Sequence, residues 1–419
     1  MSIFVLICSP YERIMEIKYP LFLFVFGGLI ITTILSVVEL LILKQLHFKE
    51  IIVTIKSKLH IIFLAIGYLV FTIVSAIYSP FHYDSIIGFS RYDGILTQFV
   101  YVSIFVITII FGRIKKWHVY ILGLTMFLFS FLCIFQLLGY NPLGLYPSGY
   151  NYYGAFVDYA GEYIGTIGNS DIVSGFLSIG IMLLFAYIIV GNDKKSVILT
   201  IPLLLSVVVL LTMKVAAGIL AIIVSLLLFC PYIFYKKKNK TWLLVLIFGI
   251  IIFVFGIILI YFYDFNKSGT LFEFHEILHG RIEGSFGSSR IKIWTEVLES
   301  MKDHFWLGTG PDSMLLWNLE GFSKYVDDIE INIYHGIDVA HNEYLNVMAQ
   351  QGVLTFLFYI SVIIVAILHF FKSKNKDKKL IVFLPVTAYL LQAFFSFSTC
   401  MVAPLFWIFL GLIFNESEH

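Results

Sequence analysis

The residues whose types and spacing could do chemistry are few, and most lie in the second half of the chain. His275-Glu276-Ile277-Leu278-His279 has H-E-x-x-H spacing. Two histidines at i and i+4 share one helical face, where they can hold Zn²⁺ while the intervening glutamate acts as general base. Glu299 and Asp303 follow where a third ligand and a supporting acid of a zinc protease would stand. Against this, Gly269 and Gly280 confine the helix to about ten residues, and Glu299 sits on an amphipathic stretch where it can equally face solvent.

Arginine usage points elsewhere. The chain has five arginines among 28 basic residues, and Arg91, Arg281 and Arg290 all fall in segments that the loop charges place outside the membrane. A guanidinium grips phosphate with a two-pronged fork that lysine lacks, so a scarce residue used there suggests an anionic ligand. Nonspecific contact with lipid headgroups is the competing explanation. Lys214, in Leu211-Thr-Met-Lys-Val-Ala-Ala-Gly218, interrupts two apolar runs. An ionisable residue there is costly and a functional candidate, unless it only snorkels from a helix end. His341 opens the helix-like segment His341-Asn342-Glu343-Tyr344-Leu345, which runs to Gly352. An imidazole there can move a proton near neutral pH, although a histidine at a helix start also serves as a structural residue.

The elements that must position these groups are membrane helices. The 419 residues are 59% hydrophobic and 13% charged, and mean hydropathy is +0.92. A soluble domain carries about 25% charged residues, so the missing aqueous surface is predicted to face lipid. Net charge is +1, which gives no global polarity for nucleic acid. The four cysteines (Cys8, Cys133, Cys230, Cys400) form no CxxC pair and read as small buried hydrophobes.

Runs long enough to span occur near 21–43, 59–78, 95–111, 118–138, 172–190, 197–212, 216–235, 242–263, 353–371, 380–398 and 400–414, the last two meeting in a tight hairpin at Ser396–Thr399. Period-2 alternation is absent, so these are helices. The expected fold is an all-α polytopic membrane protein of about 11–12 spans. It divides into a bundle over 1–263, an external loop over 264–340 that is helical in part, and C-terminal helices over 341–419.

Lys44, Lys49, Lys56 and Lys58, then Arg113, Lys115 and Lys116, then Lys194 and Lys195, then Lys236, Lys237, Lys238 and Lys240, then Lys372, Lys374, Lys376, Lys378 and Lys379 mark the cytoplasmic loops. The alternate segments 139–171 and 264–340 are then external. Met1–Ser9 is apolar but too short to span and lacks a basic n-region, so a truncated first helix followed by an external Pro10–Lys18 is expected. In the outer loop, Ser289–Phe305 is amphipathic, with Ile291, Trp294, Val297, Leu298 and Met301 on one face and Ser288 or Ser289 as cap. Leu307-Gly-Thr-Gly-Pro-Asp312 follows as a turn rich in backbone amides.

Taken in order, these pieces resemble the membrane O-antigen ligase/polymerase superfamily of bacterial envelope glycosyltransferases. The resemblance rests on Gly287-Ser-Ser-Arg290 with Ile293-Trp294, Leu307-Gly-Thr-Gly310, His341-Asn-Glu-Tyr-Leu345 and Gly352. Arg91-Tyr-Asp-Gly94 and Gly165-Thr-Ile-Gly-Asn169 also resemble the family, which extends the likeness over about 60–414. It implies transfer of a glycan from an undecaprenyl-diphosphate carrier to a glycan or glycolipid acceptor hydroxyl, outside the membrane, with no metal or nucleotide sugar. By position, Arg290 and His341 match the family's essential arginine and histidine. Lys214 falls where many members carry the arginine of a Ser-Arg pair, here Met213-Lys214, which keeps the charge and loses the fork. Arg281 and Arg91 are further candidates for the lipid diphosphate. A zinc metalloprotease built on His275-Glu276-x-x-His279 is one rival and a lipid-linked glycan transporter the other. The transporter lacks support from paired broken helices or internal repeats.

Overall fold

In the computed structural model, residues 2–9, 14–44, 48–145, 165–191, 193–236, 241–263, 265, 269–326 and 331–415 are described. Lys237, Lys238 and Lys240 of the expected cytoplasmic set, and 146–164 of the expected external segment, lie outside them.

The apolar runs fold as helices because only an intrasegment ladder pairs every backbone group within lipid. They are α1 (Ile14–Ile42), α2 (Phe48–Ser57), α3 (Leu59–Tyr78), α4 (Ile95–Phe111), α5 (Lys116–Leu137), α6 (Ser170–Val190), α7 (Lys194–Thr212), α8 (Ala216–Lys236) and α9 (Trp242–Phe262). After them come α10 (Gly269–Leu278), α11 (Phe286–Ser300), α12 (Glu343–Lys372), α13 (Lys376–Gln392) and α14 (Ala403–Ile413). Among the described residues nine helices are long and apolar enough to cross a membrane, and α4 and α14 are shorter apolar ones. The protein is an all-α polytopic membrane protein, with eleven apolar helices where eleven or twelve were expected.

Two boundaries differ from the sequence reading. The first span starts at Ile14, seven residues before the predicted 21, and includes Lys18. That lysine is buried because its ammonium donates to the Phe4 and Val5 carbonyls at 3.1 and 2.6 Å and lies over the Phe4 ring. The short helical turn Ser2–Leu6 thereby folds onto the bundle, with Phe4 and Val5 in the core. The expected hairpin at 396–399 is also wider. The chain leaves α13 through a 3-10 turn at Ala393–Phe395 and regains helix only at Ala403, where Pro404 suits a first turn.

Helix α6 is the axis of the bundle and is almost wholly buried, whereas α9 packs mainly on α8 and α10 and leaves most of its surface exposed. α6 packs on α13, α7 and α8, while α12 packs on α3 and α14 on α4. The starts of α4, α6 and α12 and the end of α13 gather at one end. The basic turns at 112–116 and 372–376 lie at the other, where Asn415 donates to the Gly112 carbonyl.

Segment 269–340 caps the first end. It holds α10, α11, two 3-10 turns and one feature absent from the sequence reading, a β-hairpin of Phe322–Val326 (β1) with Ile331–His335 (β2). The apolar face of α11 is Ile293, Val297 and Met301, with Trp294 at its edge, and Leu298 is exposed. Gly287, Ser288 and Ser289 are left-handed, so right-handed helix begins only at Arg290, and Ile293 takes the place expected for Leu298 on the buried face. The two serines turn the chain here. Beyond α11, Val353 donates to Phe305 (3.0 Å), while Thr309 and Gly310 donate to Gln350 (2.9 and 2.8 Å). These bonds serve backbone groups freed where Gly352, at φ 83°, breaks α12. The Leu307–Gly310 turn is thus a strap over a broken helix, and the amides of Thr309 and Gly310 are spent on it.

Candidate functional site

Three of the residues singled out in the sequence converge at the capped end. Arg290 donates through Nη1 to the Gly287 carbonyl (2.7 Å), and through Nη2 to Asp171 Oδ2 (2.9 Å) and the Phe395 carbonyl (3.2 Å). His341 stands on the other side of that carboxylate, its Nδ1 3.7 Å from the same Asp171 Oδ2, beyond hydrogen-bond length. The imidazole meets Phe397 edge-on, with centroids 5.3 Å apart, and the Arg91 guanidinium lies 4.9 Å from the centre of that same ring. Arg91 is held by Asp338, with Nε and Nη2 at 2.7 and 2.6 Å from Oδ2.

Each of these side chains is set by a local device. Asn169 caps α6, its side chain accepting from Asp171 N and Ile172 N at 3.0 and 3.2 Å. Gln392 Nε2 donates to the Asp171 carbonyl at 2.9 Å and ties that cap to the end of α13. Ala340, just before the histidine, has its N–H on Asn346 (3.0 Å) and its carbonyl on Trp294 Nε1 (2.8 Å). Asn342 caps α12, and Glu343 accepts from the Tyr359 and Tyr389 hydroxyls at 2.6 and 2.7 Å. Between these anchors His341 is held at φ 47°, a left-handed conformation that β-carbon-bearing residues rarely adopt.

Arg91 is placed by a buried carboxylate that sequence reading passed over. Asp312 accepts from Ser90 N, Ser90 Oγ and Arg91 N at 3.1, 2.7 and 2.8 Å, so the turn at 88–94 wraps around it. Gly88, at φ 104°, approaches this carboxylate too closely for any β-carbon. Burial pushes neighbouring Asp93 well above the usual carboxylate range, and the nearby Asp312 and Glu343 carboxyls add to it.

Lys214 is at the same level but one helix away. It is exposed, at φ 58° in the turn between α7 and α8. Gly218, one turn into α8, lies against Ser174, which is itself one turn from Asp171. Arg281 stands apart from this group, gripping Glu276 through Nε and Nη2 at 2.5 and 2.6 Å.

The H-E-x-x-H element is formed as expected on a ten-residue helix, but its base is occupied. The Arg281 guanidinium takes both Glu276 oxygens and holds the carboxyl below its ordinary range. His275 Nδ1 donates to the Ile260 carbonyl and His279 Nδ1 to the His275 carbonyl, each at 2.8 Å, and His279 stacks on Tyr261. Among the described residues no group of three or more His, Cys, Asp or Glu is placed to share a metal.

Asp171, Asp338, Asp312, Phe395 and Phe397 escaped the sequence reading. Asp171 had a usable signal, an acid in the first turn of a span directly after the Gly168-Asn169 cap. The two phenylalanines had none, since each is one of 42 in the chain.

Fold and site together define a multi-pass membrane protein with two arginines and a histidine gathered at one end of its bundle. The O-antigen ligase family matches residues 201–360, a span that contains Lys214, Arg281, Arg290, Asp338 and His341. That match supports the O-antigen ligase/polymerase superfamily and a glycan-transfer role of the ligase or polymerase kind. Arg91, Asp171 and Phe397 lie outside the matched span. No curated protein matches the chain.

Proposed function

We propose that the protein transfers a glycan from an undecaprenyl-diphosphate carrier to an acceptor hydroxyl on the non-cytoplasmic face of a plasma or inner membrane, without a metal. The observation that carries this reading is the gathering of Arg290, Arg91 and His341 around Asp171 and Phe397, in a chain that matches this family. A polyprenyl tail stays in hydrocarbon, so its diphosphate sits at the helix ends, which is the depth of these residues. The lysine-rich turns at the opposite end support an orientation with the site outside.

In the proposed reaction His341 Nε2 takes the proton of the acceptor hydroxyl as its oxygen bonds to the anomeric carbon of the donor. The bond from that carbon to the phosphate oxygen breaks, and undecaprenyl diphosphate leaves with the electron pair. Arg290, Lys214 and Arg91 bind the diphosphate and meet the charge that develops on it, a term that often dominates catalysis. Arg290 and Arg91 are paired with Asp171 and Asp338, whereas Lys214 is exposed in the turn between α7 and α8.

Purified protein in nanodiscs, supplied with an undecaprenyl-diphosphate glycan, an acceptor and EDTA, should release undecaprenyl diphosphate. Activity lost to EDTA and restored by zinc would return the reading to His275 and His279. Movement of the intact carrier without cleavage would make the protein a transporter. For orientation, a cysteine at Ser323 should react with an impermeant reagent from outside and one at Lys376 should not.

A further inference from the structure

One carboxylate oxygen, Asp171 Oδ2, faces both groups that the proposed chemistry needs, Arg290 Nη2 at 2.9 Å and His341 Nδ1 at 3.7 Å. Two buried polar atoms beside it have no hydrogen-bond partner, Arg290 Nε and His341 Nδ1. The backbones that carry all three residues are pinned: Asp171 by Asn169 and Gln392, Arg290 through the Gly287 turn, and His341 by the bonds of Ala340 and Asn342. What can change is which donor the carboxylate serves.

We propose that Asp171 is a positioning residue that passes from Arg290 to His341 when the donor diphosphate binds, so that the base is completed only in the donor complex. This rests on the transferase reading above. A diphosphate offers Arg290 a more highly charged partner with fork-matched oxygens. As the guanidinium turns to it, Asp171 loses its counterion in a site where its side chain is only 17% exposed. A buried carboxylate left unpaired is costly. An unserved donor, His341 Nδ1–H, stands 3.7 Å from it, within reach of a side-chain rotation. The bond fixes the proton on Nδ1, turns the Nε2 lone pair to the acceptor hydroxyl, and steadies the imidazolium that forms. In the empty site the same carboxylate competes with the diphosphate for Arg290.

This exchange predicts opposite effects of one substitution. Asp171→Asn should bind undecaprenyl diphosphate more tightly, by about threefold to tenfold, because a charged competitor for Arg290 is gone. Its turnover should fall by about 10²–10³, because His341 loses its orienting partner. Asp171→Glu should restore both towards wild type. Tightening with slowed turnover supports the exchange. Binding and turnover that fall together, as for a residue that only maintains the fold, overturn it, as does unchanged turnover.

Should Asp171→Asn fail to fold, nitrogen NMR of histidine-labelled wild-type protein decides, with His341 assigned from a His341→Gln sample. Adding undecaprenyl diphosphate should shift His341 to the Nδ1–H form in a stronger hydrogen bond, and an unmoved signal overturns the proposal. Wild-type protein that does not bind undecaprenyl diphosphate would bring down the transferase reading and the exchange with it.

Discussion

Two regions of this molecule hold the same kinds of side chain in opposite states. On α10, His275, Glu276, His279 and Arg281 lie within seven residues of sequence and serve one another or the adjacent backbone. At the bundle mouth, Arg91, Asp171, Arg290, Asp338, His341 and Phe397 come from segments up to 306 residues apart, and Arg290 Nε and His341 Nδ1 are still unserved. The local group looks like a motif and has its base occupied. The dispersed group is carried by short motifs far apart in sequence, and it leaves two donors unserved and His341 at a left-handed φ. Convergence with unmet hydrogen-bond capacity separates a candidate site from a coincidence of spacing.

The largest expected effect breaks that contrast or upholds it. His341→Ala should lower transfer by about 10²–10⁴, the range for loss of a general base, and leave binding of undecaprenyl diphosphate intact. Near-normal transfer at normal abundance in membranes would remove the mechanism proposed here. Arg290→Lys comes next. Lysine cannot reach Gly287, Asp171 and Phe395 together or present a fork to phosphate, so donor binding and transfer should both weaken by about tenfold to a hundredfold. Equilibrium binding beside single-turnover rates separates the two losses.

Sequence exposed the spans because lipid admits few alternatives: an apolar run of sufficient length must be a helix. It exposed Arg290, His341 and Arg91 because arginine is scarce and because their motifs resemble a known family. It did not expose what holds them. Asp171 and Asp338 acquire meaning only once distant segments meet, and Phe397 is one phenylalanine among 42 until Arg91 and His341 come to rest on its ring. The turn at Leu307–Gly310 reads from sequence only as rich in backbone amides, and two of those amides close a gap that Gly352 opens in another helix. Left-handed residues set the helix start at Arg290, and Ile293, not the expected Leu298, packs inward.

Asp312 gives an intermediate test, structural in the first instance. Asp312→Ala strips the acceptors from Ser90, Arg91 and Asp93, and should cost about 2–4 kcal/mol against denaturation in detergent. The turn that presents Arg91 loosens with it, so transfer should fall more than protein abundance does. Transfer that tracks abundance would show that Arg91 is not held in place for the reaction.

Lys214→Arg should change transfer by less than about threefold, because the exposed turn between α7 and α8 has room for the longer side chain and the charge is kept. A gain would mean that the fork missing from this chain limits its grip on the donor.

The smallest expected effect belongs to α10. His279→Gln removes a ring that stacks on Tyr261 and donates to the His275 carbonyl, and Glu276→Gln releases Arg281. Neither residue is linked to Asp171, Arg290 or His341 by a contact described above, and both belong to a group that lies on the cap. Transfer by either variant should therefore stay within about twofold of wild type, the range of a surface change away from special features. Glu276 is held below its ordinary range by Arg281, so what the pair adds to the cap is present above the unfolded carboxyl's range and fades as pH falls through the folded one. In Glu276→Gln that acid-side dependence should disappear from the protease sensitivity of the 269–281 segment while transfer near neutral pH is unchanged. A large loss of transfer in both variants, rescued by zinc in wild type alone, would instead make the local motif the working centre and the dispersed cluster its scaffold.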